Sequence, residues 1–235
     1  GDEGTSSATL SVALTGQSGR DITLNYAVTG TATGGGTDYT LADGTFTIEA
    51  GLTNKNFTIP GIVDDALDED DETVIVTLSN PVNAILAGSN AVHTYTINDN
   101  DALPTVAFAL AADGQAESEP SQDIQVSLNA VSGRTVTVDY AVTGTATAGG
   151  TDHTTTGGTI TFNAGDQDFQ QQIVGIVDDL LDEENETIIL TLSNPTNATL
   201  GTQTTHTYTI TDNDDAPTVT LSADNSTIAE NGGTS

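Results

Sequence analysis

Hydrophobic and polar residues alternate over short runs along most of the chain. Residues 22–28 read ITLNYAV, and residues 136–142 repeat this alternation as VTVDYAV. Because successive side chains of a β-strand point to opposite faces, a period of two predicts strands with one buried face. Gly, Asn, Asp and Pro separate the runs at turn spacing, and no stretch has a convincing helical period. The pattern predicts an all-β protein.

The pattern occurs in two copies along the chain. Residues 20–30, RDITLNYAVTG, return as RTVTVDYAVTG at 134–144, an offset of 114. The longest match joins GIVDDALDEDDETVIVTLSNP at 61–81 to GIVDDLLDEENETIILTLSNP at 175–195. Self-similarity at a fixed period is typical of tandem structural repeats. The sequence therefore predicts two similar units, each of about 113 residues.

The match between the copies predicts the domain boundaries. Residues 1–103 form a first repeat without its opening strand, 104–216 form a second repeat, and 217–235 correspond to the opening strand of a third. About seven strands in roughly 110 residues is the size of an immunoglobulin-like sandwich. The join at 101–104 is too short for a flexible tether. We expect two tandem seven-stranded immunoglobulin-like β-sandwiches in an elongated array.

The charge of the chain excludes several classes of partner. Three Lys and Arg stand against 34 Asp and Glu, a formal net charge of −31. A nucleic-acid surface needs a basic stripe, and docking on anionic lipid needs basic residues as well. No apolar run approaches the ~18 residues of a membrane span, so no membrane insertion is predicted. The absence of Cys excludes disulfides, thiolate nucleophiles and zinc–sulfur sites.

The acids are concentrated in a few places. Seven lie between residues 64 and 72, six lie between 178 and 186, and no Lys or Arg is near either run in the sequence. Carboxylates this close repel one another, and the cost rises as they leave bulk water. A hard divalent cation is the usual compensation, and Ca²⁺ accepts six to eight oxygen ligands where Mg²⁺ prefers fewer protein ligands. The clusters therefore favour calcium sites.

Two other interpretations of the acids remain open. An acidic loop can simply be solvated, although its repetition with the same spacing makes this less attractive. Adaptation to high salt also lowers Lys and raises Asp and Glu, but it predicts acids over the whole surface. Of the 34 acids, 25 fall in the clusters or at repeated positions beside them. High-salt adaptation could coexist with calcium binding.

The two units resemble a known family, the Calx-beta domain. The matching pieces are GTATGGGTDY at 30–39, the acidic block with TLSNP, the closing TYTINDND, and their second copies. The resemblance covers nearly the whole chain. It implies a seven-stranded immunoglobulin-like sandwich that binds calcium with loops at one end.

The resemblance also implies a set of calcium ligands. In the first repeat they are Asp38, Asp64, Asp65, Glu69, Glu72, Asp99 and Asp101, and in the second they are Glu117, Asp152, Asp178, Asp179, Glu183, Glu186, Asp212 and Asp214. Glu230 matches Glu117 in the fragment of a third repeat. The family's strongest binders carry an acid where this chain has Asn100 and Asn213, and a third loop Asp is replaced by Ala66 and Leu180. These departures leave the number of ions open.

The resemblance and the clusters together predict a structural role. We expect a calcium-binding repeat of a cell-surface or secreted protein, acting as a calcium-rigidified spacer for adhesion or a stalk. One alternative is a subunit of a head-to-tail filament, in which residues 217–231 of one copy complete the first sandwich of the next. The other alternative is a calcium-sensing regulatory module. The expected partners are calcium ions, neighbouring repeats of the same protein and other copies of the chain.

No enzyme is predicted. The acidic loops contain no nucleophile paired with a base, and no Ser-His-Asp arrangement is supported. His93 and His206 occupy the same strand position and are expected to be cross-strand packing residues rather than ligands. His153 stands where the first repeat has Tyr39, so it is not a shared requirement.

Overall fold

The architecture comes from a computed structural model that describes residues 1–166 and 170–222. The described residues are all-β apart from one short 3₁₀ helix, Gly88–Ala91. The strands of repeat 1 (residues 1–103) are β1 (Ser7–Ala13), β2 (Ile22–Gly30), β3 (Gly44–Ile48), β4 (Asn54–Pro60), β5 (Glu72–Val82) and β6 (Val92–Ile97). The period-two prediction of an all-β chain is confirmed.

Repeat 2 (residues 104–216) has the same order of strands with an additional opening segment. Its strands are β7 (Thr105–Phe108), β8 (Ala112–Ala116), β9 (Ser121–Leu128), β10 (Val136–Gly144), β11 (Gly158–Phe162), β12 (Gln170–Gly175), β13 (Glu186–Thr196), β14 (Thr199–Leu200) and β15 (Thr205–Thr211). These are nine segments where seven strands were expected, because the opening strand divides into β7 and β8 and a two-residue strand follows β13.

Two sheets of repeat 2 enclose one core. One sheet has the order β12-β9-β7-β14 and the other β11-β10-β13-β15-β8. Val106 and Val126 of the first sheet share a hydrophobic cluster with Val138 and Leu190 of the second, and all four are fully buried. The alternating apolar positions of each strand therefore point into the space between the sheets, as expected of a β-sandwich.

Repeat 1 has the corresponding sheets with one strand position open. Its larger sheet has the order β3-β2-β5-β6, and β1 pairs with β4 alone. In repeat 2 the strand corresponding to β1 is β9, which pairs with β7 as well as with β12. Within the described residues, no strand occupies the place of β7 in repeat 1.

Gly30 ends β2 and Gly144 ends β10, at the point where the chain enters the loop that carries Asp38 or Asp152. Gly30 and Gly144 have φ of 134° and 140°. A Cβ on Gly144 would lie 2.0 Å from the Thr187 carbonyl oxygen, and one on Gly30 would lie 1.9 Å from that of Thr73. Only glycine fits this backbone, which explains the repeated motif at the entrance of the loop.

The repeats touch through a contact that the sequence did not predict. Arg134 of repeat 2 forms ion pairs with Asp68 and Asp70 in the acidic loop of repeat 1. No Lys or Arg is near this loop in the sequence, but a turn 64 residues away in the chain brings the Arg134 guanidinium to it. The acidic loop that follows Gly175 in repeat 2 has no Lys or Arg contact among the described residues.

The segment after repeat 2 carries no strand as far as the structure describes it, to residue 222. Val219 and Leu221 are fully exposed, with relative exposures of 98% and 101%. The rest of the expected opening strand, including Glu230, lies outside the described residues. Across the part of the chain that is described, no helix is long and apolar enough to cross a membrane.

Candidate metal centres

Three loops bring the acids of each repeat to the same end of its sandwich. They are the loop after β2 or β10, the loop before β5 or β13 and the segment after β6 or β15, and the opening segment of each repeat adds Glu3 or Glu117. Four groups of carboxylates result, in each of which one oxygen per residue lies within 4.8 Å of the others. The groups are the Glu3 cluster (Glu3, Asp65 and Asp101), the Asp38 cluster (Asp38, Glu69 and Glu72), the Glu117 cluster (Glu117, Asp212 and Asp214) and the Asp152 cluster (Asp152, Glu183 and Glu186).

Backbone pairing beside the closing strand positions the Glu3 cluster. The Glu3 N–H donates to the Asn98 carbonyl oxygen at 3.1 Å, and the Asn100 N–H donates to Glu3 Oε1 at 3.4 Å. The Asp101 N–H donates to Asp99 Oδ1 at 3.3 Å, which turns the chain after the strand. Glu3 is buried, at 8% exposure, so its carboxylate faces the cluster rather than solvent.

Repeat 2 reproduces this arrangement at the matching positions. The Glu117 N–H donates to the Thr211 carbonyl oxygen at 3.1 Å, and the Asn213 N–H donates to Glu117 Oε1 at 3.5 Å. The Asp214 N–H donates to Asp212 Oδ1 at 3.4 Å. The two repeats therefore hold their acids in the same local geometry, which makes an accidental grouping of surface acids a poor explanation.

A tight loop holds the first residue of the Asp38 cluster. The Thr33 N–H donates to one carboxylate oxygen of Asp38, and the Asp38 carbonyl accepts a bond from the Val63 N–H at 3.0 Å. Glu72 is the first residue of β5, and Glu69 lies three residues earlier in the acidic loop. The Asp152 cluster is built in the same way, with Asp152 held by the Thr147 N–H.

Two carboxylate oxygens are buried without a hydrogen-bond donor. Asp101 Oδ2 in the Glu3 cluster and Asp214 Oδ2 in the Glu117 cluster are shielded from solvent, and no described residue donates to either. A buried acceptor without a partner is costly. These two oxygens occupy corresponding positions among other carboxylates, and either a bound cation or a protonated neighbouring Glu carboxyl would satisfy them.

Burial, and after it the proximity of other acids, raises the pKa values of several cluster residues. Burial, with added repulsion from Asp101 and Asp99, raises the pKa of Glu3 to about 7. Burial together with Asp212 and Asp214 raises the pKa of Glu117 to about 7. Burial and the neighbouring Asp38 carboxyl also raise the pKa of Glu72 to about 7. The pKa values of Glu69, Glu183 and Glu186 rise for the same reasons, burial first.

Four of the expected ligands lie outside the four clusters. Asp64 Oδ1 accepts a bond from the Asn100 amide at 3.1 Å, and Asp178 Oδ1 accepts one from the Asn213 amide at 3.1 Å. The two Asn side chains, expected at most as oxygen ligands, therefore act as donors to these acids. Asp99 accepts the Asp101 N–H, and Asp179 accepts the Leu181 N–H at 2.8 Å. Their proposed ligand roles stay predictions.

Glu3 is a cluster residue that sequence reasoning left out of the expected set. Its signal was present, because Glu3 precedes Glu117 by the repeat offset of 114 residues. The sequence around Glu3 shows no opening strand that could be aligned with repeat 2. The equivalence of Glu3 and Glu117 therefore follows from their matching backbone hydrogen bonds to the closing strand. The other eleven cluster residues all belong to the expected set.

The histidines belong to none of the clusters. His206 is buried, contacts the Phe108 ring, and pairs with the Leu110 carbonyl oxygen at 2.9 Å and Asp113 Oδ1 at 3.0 Å. His93, its counterpart, pairs with Val76 across β5 and β6 and is exposed. The expected cross-strand packing role agrees with the contacts of His206, whereas His93 lies at the matching strand position but is exposed.

Comparison with known proteins gives matches over both repeats. The sequence model of the Calx-beta domain matches residues 1–101 and 99–216. Human sodium/calcium exchanger 3 is 28% identical over 201 residues, which cover 77% of this chain and 22% of the exchanger. Dog sodium/calcium exchanger 1 is 30% identical over 178 residues, covering 68% of this chain and 18% of the exchanger. The chain thus spans about a fifth of the length of these relatives.

Solved structures that align with this chain include domains of the Calx type. The crystal structure of CBD12 from CALX1.2 aligns with 89% of this chain and 95% of its own, at 18% identity and a TM-score of 0.41. The apo form of the Calx CBD1 domain aligns with 48% of this chain and all of its own, at 25% identity and a TM-score of 0.45.

Proposed function

Because the chain belongs to the Calx-beta domain family in both of its repeats, we propose that it binds calcium at the acidic end of each repeat. The observation that carries the proposal is the pair of buried, unpartnered oxygens, Asp101 Oδ2 and Asp214 Oδ2. Each belongs to a group of three carboxylates that no Lys or Arg contacts among the described residues. A bound cation would supply the positive charge that these groups lack.

The donor set of the clusters fits calcium. Ca²⁺ binds carboxylate oxygens at 2.3–2.6 Å, so two oxygens on a common ion lie at most about 5 Å apart. The separations of up to 4.8 Å within each cluster satisfy this limit. All twelve cluster residues are Asp or Glu, with no His among them, which favours a hard cation over zinc or copper. The residues that would hold the ions are therefore those of the four clusters.

The test is thermal unfolding of the chain in chelator, in calcium and in magnesium. We expect a calcium-specific rise of the midpoint, since an ion that binds only the folded state stabilises it by about 2.7 kcal/mol at 100 times its Kd. Glu183 and Glu184 provide matched variants, because both are exposed and only Glu183 belongs to a cluster. Glu183→Gln should reduce the calcium-dependent rise, whereas Glu184→Gln should leave it unchanged. An equal rise in magnesium or in monovalent salt would contradict the proposal.

The role we assign to calcium is that of a rigidifying ion in a spacer of a cell-surface or secreted protein. Asp101 belongs to the Glu3 cluster, and only three residues separate it from β7 of repeat 2. An ion held by Asp101 would restrict the joint between the repeats as well as the site itself. Small-angle scattering with calcium and with chelator tests this role. The same interdomain flexibility in both conditions would refute it.

A calcium-sensing role is the alternative that the exchanger relatives favour. The two roles differ in affinity, because calcium sensors bind with Kd values of about 10⁻⁷–10⁻⁵ M and extracellular modules with about 10⁻⁴–10⁻³ M. A calcium titration by calorimetry therefore separates them. A Kd of about 10⁻⁷–10⁻⁵ M accompanied by a change in scattering profile would favour the sensor, and a Kd of about 10⁻⁴–10⁻³ M would favour the spacer.

A groove in repeat 1 supports a second, independent function, the acceptance of a strand from another copy. It has a volume of about 1240 Å³ and runs along β1, with Leu10, Val12, Leu24 and Phe57 among its lining residues. It lies beside the edge of β1 that corresponds to the β7-paired edge of β9. In repeat 2 this place is filled by Val106 and Phe108, which are almost wholly buried.

The chain also carries a segment with the pattern of the missing strand. Residues 217–221 read PTVTL, where β7 and its preceding proline read PTVAF. Val219 and Leu221, the counterparts of the two buried residues, are fully exposed. Strand addition to an open edge is an established mode of assembly. Sedimentation in calcium tests it: we expect head-to-tail oligomers that Val219→Asp with Leu221→Asp abolishes, and a monomer at high concentration would refute it.

A further inference from the structure

The contact between the repeats is a buried, specific joint. It connects Asp68 of the repeat 1 acidic loop to the turn Ser132–Gly133–Arg134, and Asp68 and Ser132 are 2% and 1% exposed. Ser132 Oγ donates to Asp68 Oδ2 at 2.9 Å, and the Gly133 N–H donates to the Asp68 carbonyl oxygen at 2.9 Å. Arg134 Nε donates to Asp68 Oδ2 at 3.2 Å, so both carboxylate oxygens receive guanidinium donors.

The same turn is present in repeat 1 without a partner. Ser18, Gly19 and Arg20 precede Ser132, Gly133 and Arg134 by the repeat offset. In both turns the arginine N–H donates to the serine Oγ at 3.1 Å, so the backbone is already folded for the contact. Ser18 Oγ donates to the Arg20 carbonyl oxygen at 2.8 Å, whereas Ser132 Oγ donates to a carboxylate. Arg20 is exposed and makes no ion pair with any described residue.

A contact with the neighbouring repeat requires a glycine at position 133, and no such contact is present at position 19. Neither Gly19 nor Gly133 has a positive φ, so the backbone does not require glycine. A Cβ on Gly133 would lie 2.7 Å from Glu69 Cγ of the preceding repeat, whereas one on Gly19 would meet nothing within 4 Å. Gly19 therefore leaves room for a side chain equivalent to Glu69, which repeat 1 itself does not place there.

The acidic loop of repeat 2 corresponds to the loop that Arg134 contacts, and no described Lys or Arg contacts it. Asp182 corresponds to Asp68 but is exposed, and Leu181 beside it is 60% exposed. The loop already has the joint's shape, because the Leu181 N–H donates to Asp179 at 2.8 Å just as the corresponding N–H in repeat 1 donates to Asp65 at 2.8 Å. The acidic loop of repeat 2 is thus the exposed equivalent of a surface that is buried in repeat 1.

We propose that the turn Ser18–Gly19–Arg20 binds the acidic loop 178–186 of a second copy of this chain, with the contacts that join repeat 1 to repeat 2. The second copy is the partner because it carries the complementary loop in the required shape and charge. Arg20 pairs with Asp182 of that copy, and Glu183 lies over Gly19. The joint does not depend on calcium binding or on the strand-accepting groove.

Disulfide trapping tests the proposal, since the chain contains no cysteine. A Gly19→Cys chain is mixed with a Glu183→Cys chain in a glutathione redox buffer with chelator. Both also carry Val219→Asp and Leu221→Asp, so strand insertion cannot bring the surfaces together. We expect about five times as much mixed disulfide as the two homodimers combined. Random pairing would give equal amounts of the mixed disulfide and of the combined homodimers. The chain with Glu69→Cys and Gly133→Cys is the reference, because it should close the same bond internally.

Charge reversal identifies the ion pair as the cause of trapping. Arg20→Asp on the first chain should return the ratio to that of random pairing, and Asp182→Arg on the second chain should then restore the excess. Lys55→Asp changes the net charge equally at a site that pairs with Glu49, so it should leave the excess intact. Random pairing in the parent mixture, while the reference bond forms, would overturn the proposal.

Discussion

Asp214→Asn should change the stability of the protein in opposite directions with and without calcium. Asp214 has a buried oxygen without a donor and lies within 4.8 Å of Glu117 and Asp212 carboxylate oxygens. In chelator the substitution removes a charge from this group. In calcium it removes a ligand. The amide is nearly the same size as the carboxylate, so packing is conserved and the charge is the main variable.

The magnitude in chelator follows from the separation of the carboxylates. Two unit charges 4.8 Å apart repel by about 3 kcal/mol at an effective dielectric constant of about 20. Part of this repulsion is avoided by protonation, because the pKa of Glu117 is raised to about 7. We therefore expect a stabilisation of about 1 kcal/mol, which raises the unfolding midpoint of repeat 2 by about 4 °C.

The magnitude in calcium follows from mass action. Loss of one ion at 100 times its Kd removes about 2.7 kcal/mol, which lowers the unfolding midpoint of repeat 2 by about 11 °C. Differential scanning calorimetry of both proteins in chelator and in calcium measures the two effects. Glu119→Gln is the control, since Glu119 is exposed and lies outside the clusters. A change of the same sign in both conditions would refute the assignment of Asp214 as a calcium ligand.

Two further predictions concern the backbone and pH. Gly144→Ala should destabilise repeat 2 by about 2 kcal/mol or more, because its Cβ would lie 2.0 Å from the Thr187 carbonyl oxygen at a φ of 140°. Gly16→Ala, with nothing within 4 Å, is the control in the same denaturant titration, and equal effects would contradict the steric argument. In chelator, the free energy of unfolding should fall as pH rises from about 4.5 to about 7. Folding raises the pKa values of Glu3 and Glu117, so over this interval the folded protein holds protons that the unfolded chain has lost. Denaturant titrations at pH 5 and 7.5 measure this, and stability that increases over the interval would contradict it.

Much of the fold could be predicted because its causes are local and repeated. The period-two runs specify strands and their buried faces, and the second copy of each run confirms that the pattern is not accidental. Eleven of the twelve cluster residues belong to the ligand set that the resemblance implied, and the repetition places their counterparts in equivalent loops. Glu3 was the exception, because its neighbours in the opening strand are missing from the chain and the local pattern around it is incomplete.

The contacts between distant segments could not be predicted from local pattern. Asn100 and Asn213 appeared as possible oxygen ligands, yet their amides donate to Asp64 and Asp178, a choice that depends on which side chains the loops bring within 3.1 Å. Arg134 appeared remote from every acidic run, yet it pairs with Asp68 across the joint of the repeats. A linear sequence records which residues are neighbours along the chain. Hydrogen bonds and ion pairs depend on distances in space, and those distances follow from how two sandwiches and their loops pack together.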